Sequence, residues 1–508
     1  MQTIIKHLYC DVAIIGGGAG GCSAAVTASK RGLQTILLDK GVSLGGLATN
    51  GYVPQVAGMI EGNCKDFVER LEKNGYLMRK SGDDDHNPTF DPEFSKFILE
   101  QMVMENGGRI IYDATCMDVE LDGESIKSAV FYTKGGWMAV HAPYFIDATG
   151  DADVAYLAGV PYQTGGADFA GLNMSTTMGT RWAGYNAPAY ELADEKWKEE
   201  QIGNGTDPKK VKPLIFSLEE KAIEAGELSR HVANPWKGIF QVQIPNTTRE
   251  HMEFCTFSFH SYYTHNTDVE DITRQILEQH NLINQYEHFL RNYVPGFEQV
   301  HLIGQGSLPG VRDSRRIFGE YMLKASDVAC GTKFEDGIAR FPEMFDTHHP
   351  TNPEAVFQRH IHIPAPSGSA VCREACCSAA MHPFGRPAGV EARSNPRDYC
   401  EIPYRSLIPK GIDNLLVVGR CCSAEFHANG AMRIIGPAMG TGQAAAVAVH
   451  TAKISGVKPR EIDGKLIRRK LIDEEGVELD HFPGGWWEKL RDKEGELVVN
   501  SGDAVSII

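Results

Sequence analysis

Three glycines, Gly16, Gly18 and Gly21, follow a short apolar run at residues 10–15 (CDVAII), and Asp39 stands 18 residues beyond the last of them. The G-x-G-x-x-G spacing has a definite chemistry. The first glycine permits a tight strand-to-helix turn, the second lets backbone approach a pyrophosphate, and the third lets the helix pack closely on the strand. The helix that follows offers unpaired N–H groups and a partial positive charge to phosphates. An acid placed like Asp39, here followed by Lys40, accepts the ribose hydroxyls of an adenosine. The elements that must hold these groups are a buried parallel strand over 10–15, a small-residue helix ending near Gly32, and a second strand over 35–38.

A second glycine-rich turn, KGVSLGGLATNG with Gly45, Gly46 and Gly51, comes directly after Asp39. An NAD site has no need of such a turn. An extended FAD does, because the cofactor runs past its pyrophosphate toward the sheet edge. Residues 144–150 (YFIDATG) and 414–420 (NLLVVGR) read as further strands ending in glycine, and 442–453 as a small-residue helix. Gly440, Thr441 and Gly442 at the start of that helix would bring N–H groups against a flavin pyrimidine ring, where the dipole favours the anionic reduced form.

On these motifs the chain resembles the FAD-dependent oxidoreductases of the glutathione-reductase-like flavoprotein superfamily, related to fumarate reductase flavoprotein subunits and the flavin part of heterodisulfide reductase. The matching segments are DVAIIGGGAGG, DKGVSLGGLATNG, FIDATGDADVAYLAG, PGFEQVHL, GVRDSRRIFGEY, IPYRSLIPKGIDNLLVVGR and GTGQAAAVA, from residue 10 to about 453. The resemblance implies pyrophosphate contacts at Gly16, Gly18 and Gly21, adenosine ribose at Asp39, and Gly46, Leu47, Ala48 and Thr49 along the cofactor toward its ring. It also implies that the Cys116 backbone meets adenine and that Gly150 and Asp151 close the second crossing. Where many relatives have Gly-Asp, this chain has Gly419-Arg420, and Arg420 would reach the phosphates. No histidine lies in SLGGLATNG, so the FAD is expected to be non-covalent.

The expected fold class is α/β, a Rossmann-like FAD-binding domain (parallel sheet with helices) split by an α+β substrate or cap domain. Residues 1–160 and 395–470 form the two parts of the first, 161–394 the cap, and 471–508 a C-terminal extension containing Trp486 and Trp487. The cap is richer in aromatics and histidines. Residues 254–265 alternate like a strand, and 268–298 read as an amphipathic helix stopped by Pro295-Gly296.

Candidate catalytic groups come from two segments. VRDSRRIFGEY carries Arg312, Arg315 and Arg316, which suit bidentate contact with a carboxylate or phosphate, Arg315 foremost. The structural alternative is a tie between cap and core, with Arg316 and Glu320 spaced i,i+4. EFHANGAMR carries His427, a candidate proton acceptor or donor, and Arg433, a candidate for orienting an oxyanion or carboxylate. Cys421–Cys422 reads as packed small residues.

The exclusions are equally informative. No second strand–GxGxxG–helix unit appears, so electrons are expected to leave to an external carrier. Cys372, Cys376, Cys377 and Cys400 lack the C-x-x-C runs of iron–sulfur proteins. His360 and His362, and His348–His349, have no partners in sequence that would make a metal site, so none is expected. With 50 Lys and Arg against 66 Asp and Glu the net charge is −16, which disfavours nucleic acid. No apolar run reaches the length of a membrane span, and no export signal precedes the first strand. Twelve irregularly spaced cysteines then suggest reduced thiols in a cytoplasm, and a homo-oligomer is compatible with all of this. The function expected is FAD-dependent dehydrogenation, hydride passing between a small polar substrate (CH–OH or CH–CH) and flavin N5. The alternative is a flavin electron-transfer subunit of a larger iron–sulfur complex.

Overall fold

The apolar tetrapeptides VAII and TILL and the strand YFID are buried on both faces, as all-parallel sheets require. They form the centre of a five-stranded parallel sheet in the order Leu415–Val417, Tyr144–Asp147, Val12–Ile15, Thr35–Leu38, Arg109–Ile111. The register sets Ile15 opposite both Leu38 and Asp147, and Asp147 opposite Val417. The register also sets Leu38 opposite Ile111, so the carboxyl ends of all five strands finish together. The loops that follow them gather at one edge, where ligands bind in open α/β sheets. The computed structural model describes residues 4–56, 60–78, 88–232, 242–243, 247–330, 332–342, 346–352, 356–358, 362–364, 370–372 and 399–480.

Helices cover one face. Ala19–Lys30 packs against Ile435–Ser455 so closely that a Cβ on Gly442 would fall 2.0 Å from the Gly20 carbonyl oxygen. Leu323, Ile338, Phe341, Cys400, Ile402 and Tyr404 join the same core, as do Ile467, Leu471, Val477 and Leu479 near the end of the described chain. On the other face lies a four-stranded sheet, Lys6–Tyr9, Gly136–His141, Ser125–Thr133 and Ala114–Asp122, packed through Phe131, Met138 and Val140.

The segment expected to form the cap contains an antiparallel sheet ordered Val242–Gln243, Met252–Ser261, Thr176–Tyr185, His301–Gln305. Its core is aromatic, with Trp182, Phe254, Phe259, Tyr286 and Phe289 all buried. The helix Val269–Tyr293 is capped by the Asp268 carboxylate, which accepts from the Asp271 N–H, and it stops just before Pro295. The strand expected over 254–265 ends at Ser261, because the chain turns at Tyr263 (φ 57°), whose N–H donates to the Pro350 carbonyl. Cap and glycine-rich turn touch directly: the Ser307 N–H donates to the Asn50 carbonyl at 2.9 Å.

The late helix begins at Ile435, seven residues before the expected start at 442. Pro437 lies in its first turn, where a missing N–H costs nothing. Gly440, Thr441 and Gly442 consequently sit in the second turn. Gly440 faces Ala339, Gly442 faces Gly20, and the Thr441 hydroxyl accepts from the Gly419 N–H.

No helix among the described residues is long and apolar enough to cross a membrane, and no group of three or more His, Cys, Asp or Glu among them is placed to hold a metal. His362 and Cys372 are paired in a short backbone ladder. His360, Cys376, Cys377, Trp486 and Trp487 lie outside the described residues.

Candidate active site

The glycine-rich turn is built as its spacing requires. Gly16 adopts φ +102°, and a Cβ on Gly21 would stand 1.8 Å from the Gly16 carbonyl oxygen. Gly18 is different: nothing lies within 4 Å of where its Cβ would be. It is also the N-cap of Ala19–Lys30, with no side-chain cap and no acid in the first turn. An open concavity above an uncapped helix N-terminus fits a pyrophosphate. The Asp39 carboxylate is fixed at the sheet edge by N–H donation from Gly17 (2.5 Å) and Gly41 (2.6 Å). Gly45 pairs with Gly18 and opens the short 3-10 turn Gly46–Ala48, which contains Leu47. The buried Thr49 hydroxyl ties that turn to the Leu44 carbonyl at 2.5 Å. Cys116 lies in the strand Ala114–Asp122, opposite Phe131, and that strand starts where the Ala114 N–H donates to the Asp39 carbonyl.

Across the edge, Asp147 accepts from the N–H groups of Thr149 and Ala155 and so shapes the Gly150–Asp151 turn. The Arg420 guanidinium lies over Gly150 and donates to the Asp151 carboxylate at 2.8 Å, and the Ser314 hydroxyl donates to it at 2.6 Å. Burial pushes the Asp151 carboxyl up, but Arg420, Ser314 and Lys40 together hold it below its ordinary value. Gly419, φ +76°, has only the Ala438 methyl near its open side. Arg420→Ala is expected to destabilise the fold by roughly the lower part of the 3–5 kcal/mol typical of breaking a buried pair, since both groups keep some solvent. Because the native Asp151 value is depressed, the stabilisation is present above the ordinary carboxylate range and lost as pH falls through the native value. Urea denaturation of wild type and variant between pH 7 and pH 3 should show the two curves converging.

A second cluster lies where the cap meets the late helix. Arg433 caps the helix Phe426–Met432, two residues before the start of Ile435–Ser455, whose N-cap Ile434 provides no side-chain acceptor. Arg433 donates to both the carboxylate (2.5 Å) and the carbonyl (2.9 Å) of Asp346. The other carboxylate oxygen of Asp346 is 3.1 Å from His348 Nε2. The His348 ring stacks on His260, centroids 5.5 Å apart. His260 Nδ1 donates to the Ser258 carbonyl, and its Nε2 is 3.3 Å from an N–H of Arg312. Arg312 also donates to the Ser175 carbonyl at 2.6 Å.

The hydrogen-bond partners fix the tautomers. Ser258 offers only an acceptor, so His260 is protonated at Nδ1 and accepts from Arg312 at Nε2. Asp346 likewise requires the proton on His348 Nε2, leaving Nδ1 as the basic atom. Burial, then Arg312, pushes His348 down to about 4, while Asp346 opposes the shift. Burial and Arg312 drive His260 well below its ordinary value. Burial disfavours the Asp346 carboxylate, but Arg433 and His348 keep it well below the usual range. Near pH 7 the described residues of the cluster are therefore two guanidiniums, one carboxylate and two neutral imidazoles.

Other candidates are placed differently. Arg315 lies in the strand Arg315–Ile317, which pairs with Tyr162–Thr164 and turns its side chain toward the helix Asp153–Leu157. There it donates to the Asp151 carbonyl (3.0 Å) and Asp153 carboxylate (2.9 Å) and stacks 4.3 Å over Tyr156. Its guanidinium is thus engaged by Asp151, Asp153 and Tyr156. Arg316 is buried on Asp313 and the carbonyls of Gly165 and Ala424. His427, in the first turn of its helix, is pushed down to about 4 by burial, with Asp168 and Arg316 as its charged neighbours. His349 accepts from the Thr351 and Asn352 N–H groups in a turn, so the His348–His349 pair divides between two tasks. Asp346 and His260 were not singled out by sequence. The usable signal was one carboxylate two residues before a histidine, on a strand whose alternation puts both on one face.

The family model for FAD dependent oxidoreductase matches residues 11–471. No curated protein matches the chain. Among solved structures it is similar to a geranylgeranyl bacteriochlorophyll reductase-like protein from Thermoplasma acidophilum, with 13% identity over 92% of this chain and 84% of that one, TM-score 0.39. It is also similar to a myxobacterial chondrochloren halogenase (11% identity, 92% and 79%, TM-score 0.39). A third is p-nitrophenol 4-monooxygenase from Pseudomonas putida (10%, 62% and 70%, TM-score 0.35).

Proposed function

Given that the chain belongs to the FAD dependent oxidoreductase family, and so is a flavoenzyme with FAD as its cofactor, we propose that it is a dehydrogenase of a small polar substrate whose reacting proton passes to His348. The observation that carries this is the chain Arg433–Asp346–His348, two residues from the open N-terminus of the late helix. Gly16, Gly18 and Gly21 would hold the pyrophosphate, Asp39 the ribose, and the Gly46–Thr49 turn with Ile435–Gly436 the ring end. Lys40, Cys116, Gly150–Asp151 and Gly419–Arg420 would line the rest, with Gly440–Gly442 supporting the helix from within. FAD when bound supplies a two-electron acceptor for the substrate hydrogen.

His348 takes at Nδ1 the hydroxyl proton of a CH–OH, or the proton of one carbon of a CH–CH bond, while the hydride leaves from the carbinol carbon or from the other carbon of that bond. Asp346 is the positioning residue that holds its tautomer and steadies the imidazolium that forms. Arg433 in turn fixes Asp346. His427, with Asp168 and Arg316 as its charged neighbours, is the other candidate base. Electrons leave to a separate carrier, in keeping with the single glycine-rich unit.

The test is an anaerobic titration of the purified holoprotein with polyols, sugars, hydroxy acids and enoates, read by the visible flavin spectrum. Bleaching by one class of alcohol or acid is the expected result. No bleaching by any of them, together with no reoxidation of the chemically reduced protein by enoates, would overturn the reading. It would favour an electron-transfer subunit instead.

A further inference from the structure

Arg312 is the least expected group in the second cluster. It is only 8% exposed, yet it makes no ion pair with any described carboxylate. Its polar contacts are a carbonyl, Ser175, and a neutral imidazole, His260. The nearest acids are engaged elsewhere: Asp346 by Arg433 (2.5 Å) and Asp313 by Arg316 (3.0 Å). A buried charge is ordinarily paired, because leaving water without a counterion costs several kcal/mol. Here the surroundings make matters worse, since burial and then the like charge of Arg433 push Arg312 down to about 9. Two of its five N–H donors are engaged, which leaves three for a ligand.

We infer that the substrate carries a carboxylate that docks on Arg312 beside Arg433. This deepens the reading of the same site as a dehydrogenase. Among the described residues the cluster carries one more positive charge than negative, which a monoanion such as a carboxylate balances and a phosphate dianion exceeds. Planar fork-to-carboxylate pairing suits the guanidinium. With the carboxylate on Arg312, the adjoining carbon of a hydroxy acid or enoic acid is presented to the face that His348 lines. Neutral polyols and sugars then bind poorly, whatever their hydroxyl count.

The experiment uses the oxidised holoprotein. At pH 8, where phosphate is mainly the dianion and the two acids are monoanions, binding of lactate, crotonate, the neutral isostere lactamide and inorganic phosphate is followed by calorimetry and by the shift in melting temperature, for wild type, Arg312→Gln and Arg312→Lys. At least one carboxylate is expected to bind and raise the melting temperature, while lactamide and phosphate do not. Arg312→Gln should weaken that carboxylate by about 10–100-fold, the range of a charged hydrogen bond. Its unliganded melting temperature should be no lower than that of wild type, because an unpaired charge has been removed. Arg312→Lys, which keeps the charge and loses the fork, should fall between. Equal carboxylate affinity in wild type and both variants would overturn the inference, as would equal binding of lactate and lactamide or no carboxylate binding at all. An acid that binds through Arg312 without bleaching the flavin supports the anion site and counts against oxidation of that acid, so the two readings fail separately.

Discussion

Gly18→Ala is expected to yield a folded protein that has lost FAD, whereas Gly21→Ala is expected not to fold. The two glycines are three residues apart, and the difference between them is geometric. Gly18 has φ −70°, which alanine adopts freely, and its Cβ would enter open space. Replacing glycine where the backbone already suits alanine stabilises by about 0.4–1 kcal/mol through the unfolded chain. The same methyl would occupy the concavity in which, on the proposed reading, a pyrophosphate would meet the helix N-terminus. A loss of at least about 100-fold in FAD affinity, near 3 kcal/mol, is expected. At Gly21 the added carbon would stand 1.8 Å from a backbone carbonyl that cannot rotate away. Overpacking against backbone exceeds the roughly 1–3 kcal/mol seen in side-chain cores. Circular dichroism melts of the apoproteins, with flavin absorbance after desalting, separate the outcomes. Retention of FAD by Gly18→Ala would remove the pyrophosphate assignment.

The contrast also shows what was readable from sequence. The turn, its helix and Asp39 are local in sequence, and each residue type answers a steric demand of its own neighbours. The parallel strands were legible for the same reason, as short β-branched runs before glycine. The second cluster was not. His260, Arg312, Asp346, His348 and Arg433 come from a cap strand, a connecting loop, a short ladder and a helix terminus, and only tertiary packing joins them. The three clustered arginines part company in the fold. Adjacent positions near a strand point in different directions, so Arg315 ties cap to core, Arg316 anchors on Asp313, and Arg312 alone reaches the cluster. The early start of the late helix escaped because Ile-Gly-Pro reads as a loop, although proline is tolerated in a first helical turn. Moving that start from 442 to 435 brings the open N–H groups next to Arg433, which links the cofactor edge to the second cluster.

His348→Asn should reduce the rate of substrate-dependent flavin bleaching by about 10²–10⁴-fold, the usual contribution of a positioned base, with FAD occupancy unchanged. Asp346→Asn should give a loss of similar order, because an amide no longer selects the Nε2–H tautomer that leaves Nδ1 basic. His427→Ala keeps the rate if His348 is the base, and transfers the loss to itself if the roles are reversed. The pH profile sharpens the distinction between a base and a merely structural histidine. His348 is held near 4 by burial and Arg312, so the active neutral form is full at pH 6–9 and the rate should be flat there. It should fall about tenfold per unit below pH 4, where the imidazole becomes protonated. Stability follows the same sign. The native state binds fewer protons than the unfolded chain between the ordinary histidine value and about 4, so stability decreases as pH falls through that window, on the order of 1 kcal/mol per unit. In His348→Asn that dependence weakens while the plateau rate is already lost. A rate that instead titrates near pH 6.5 in wild type would mean that the proton acceptor is a solvated histidine and not the one bonded to Asp346.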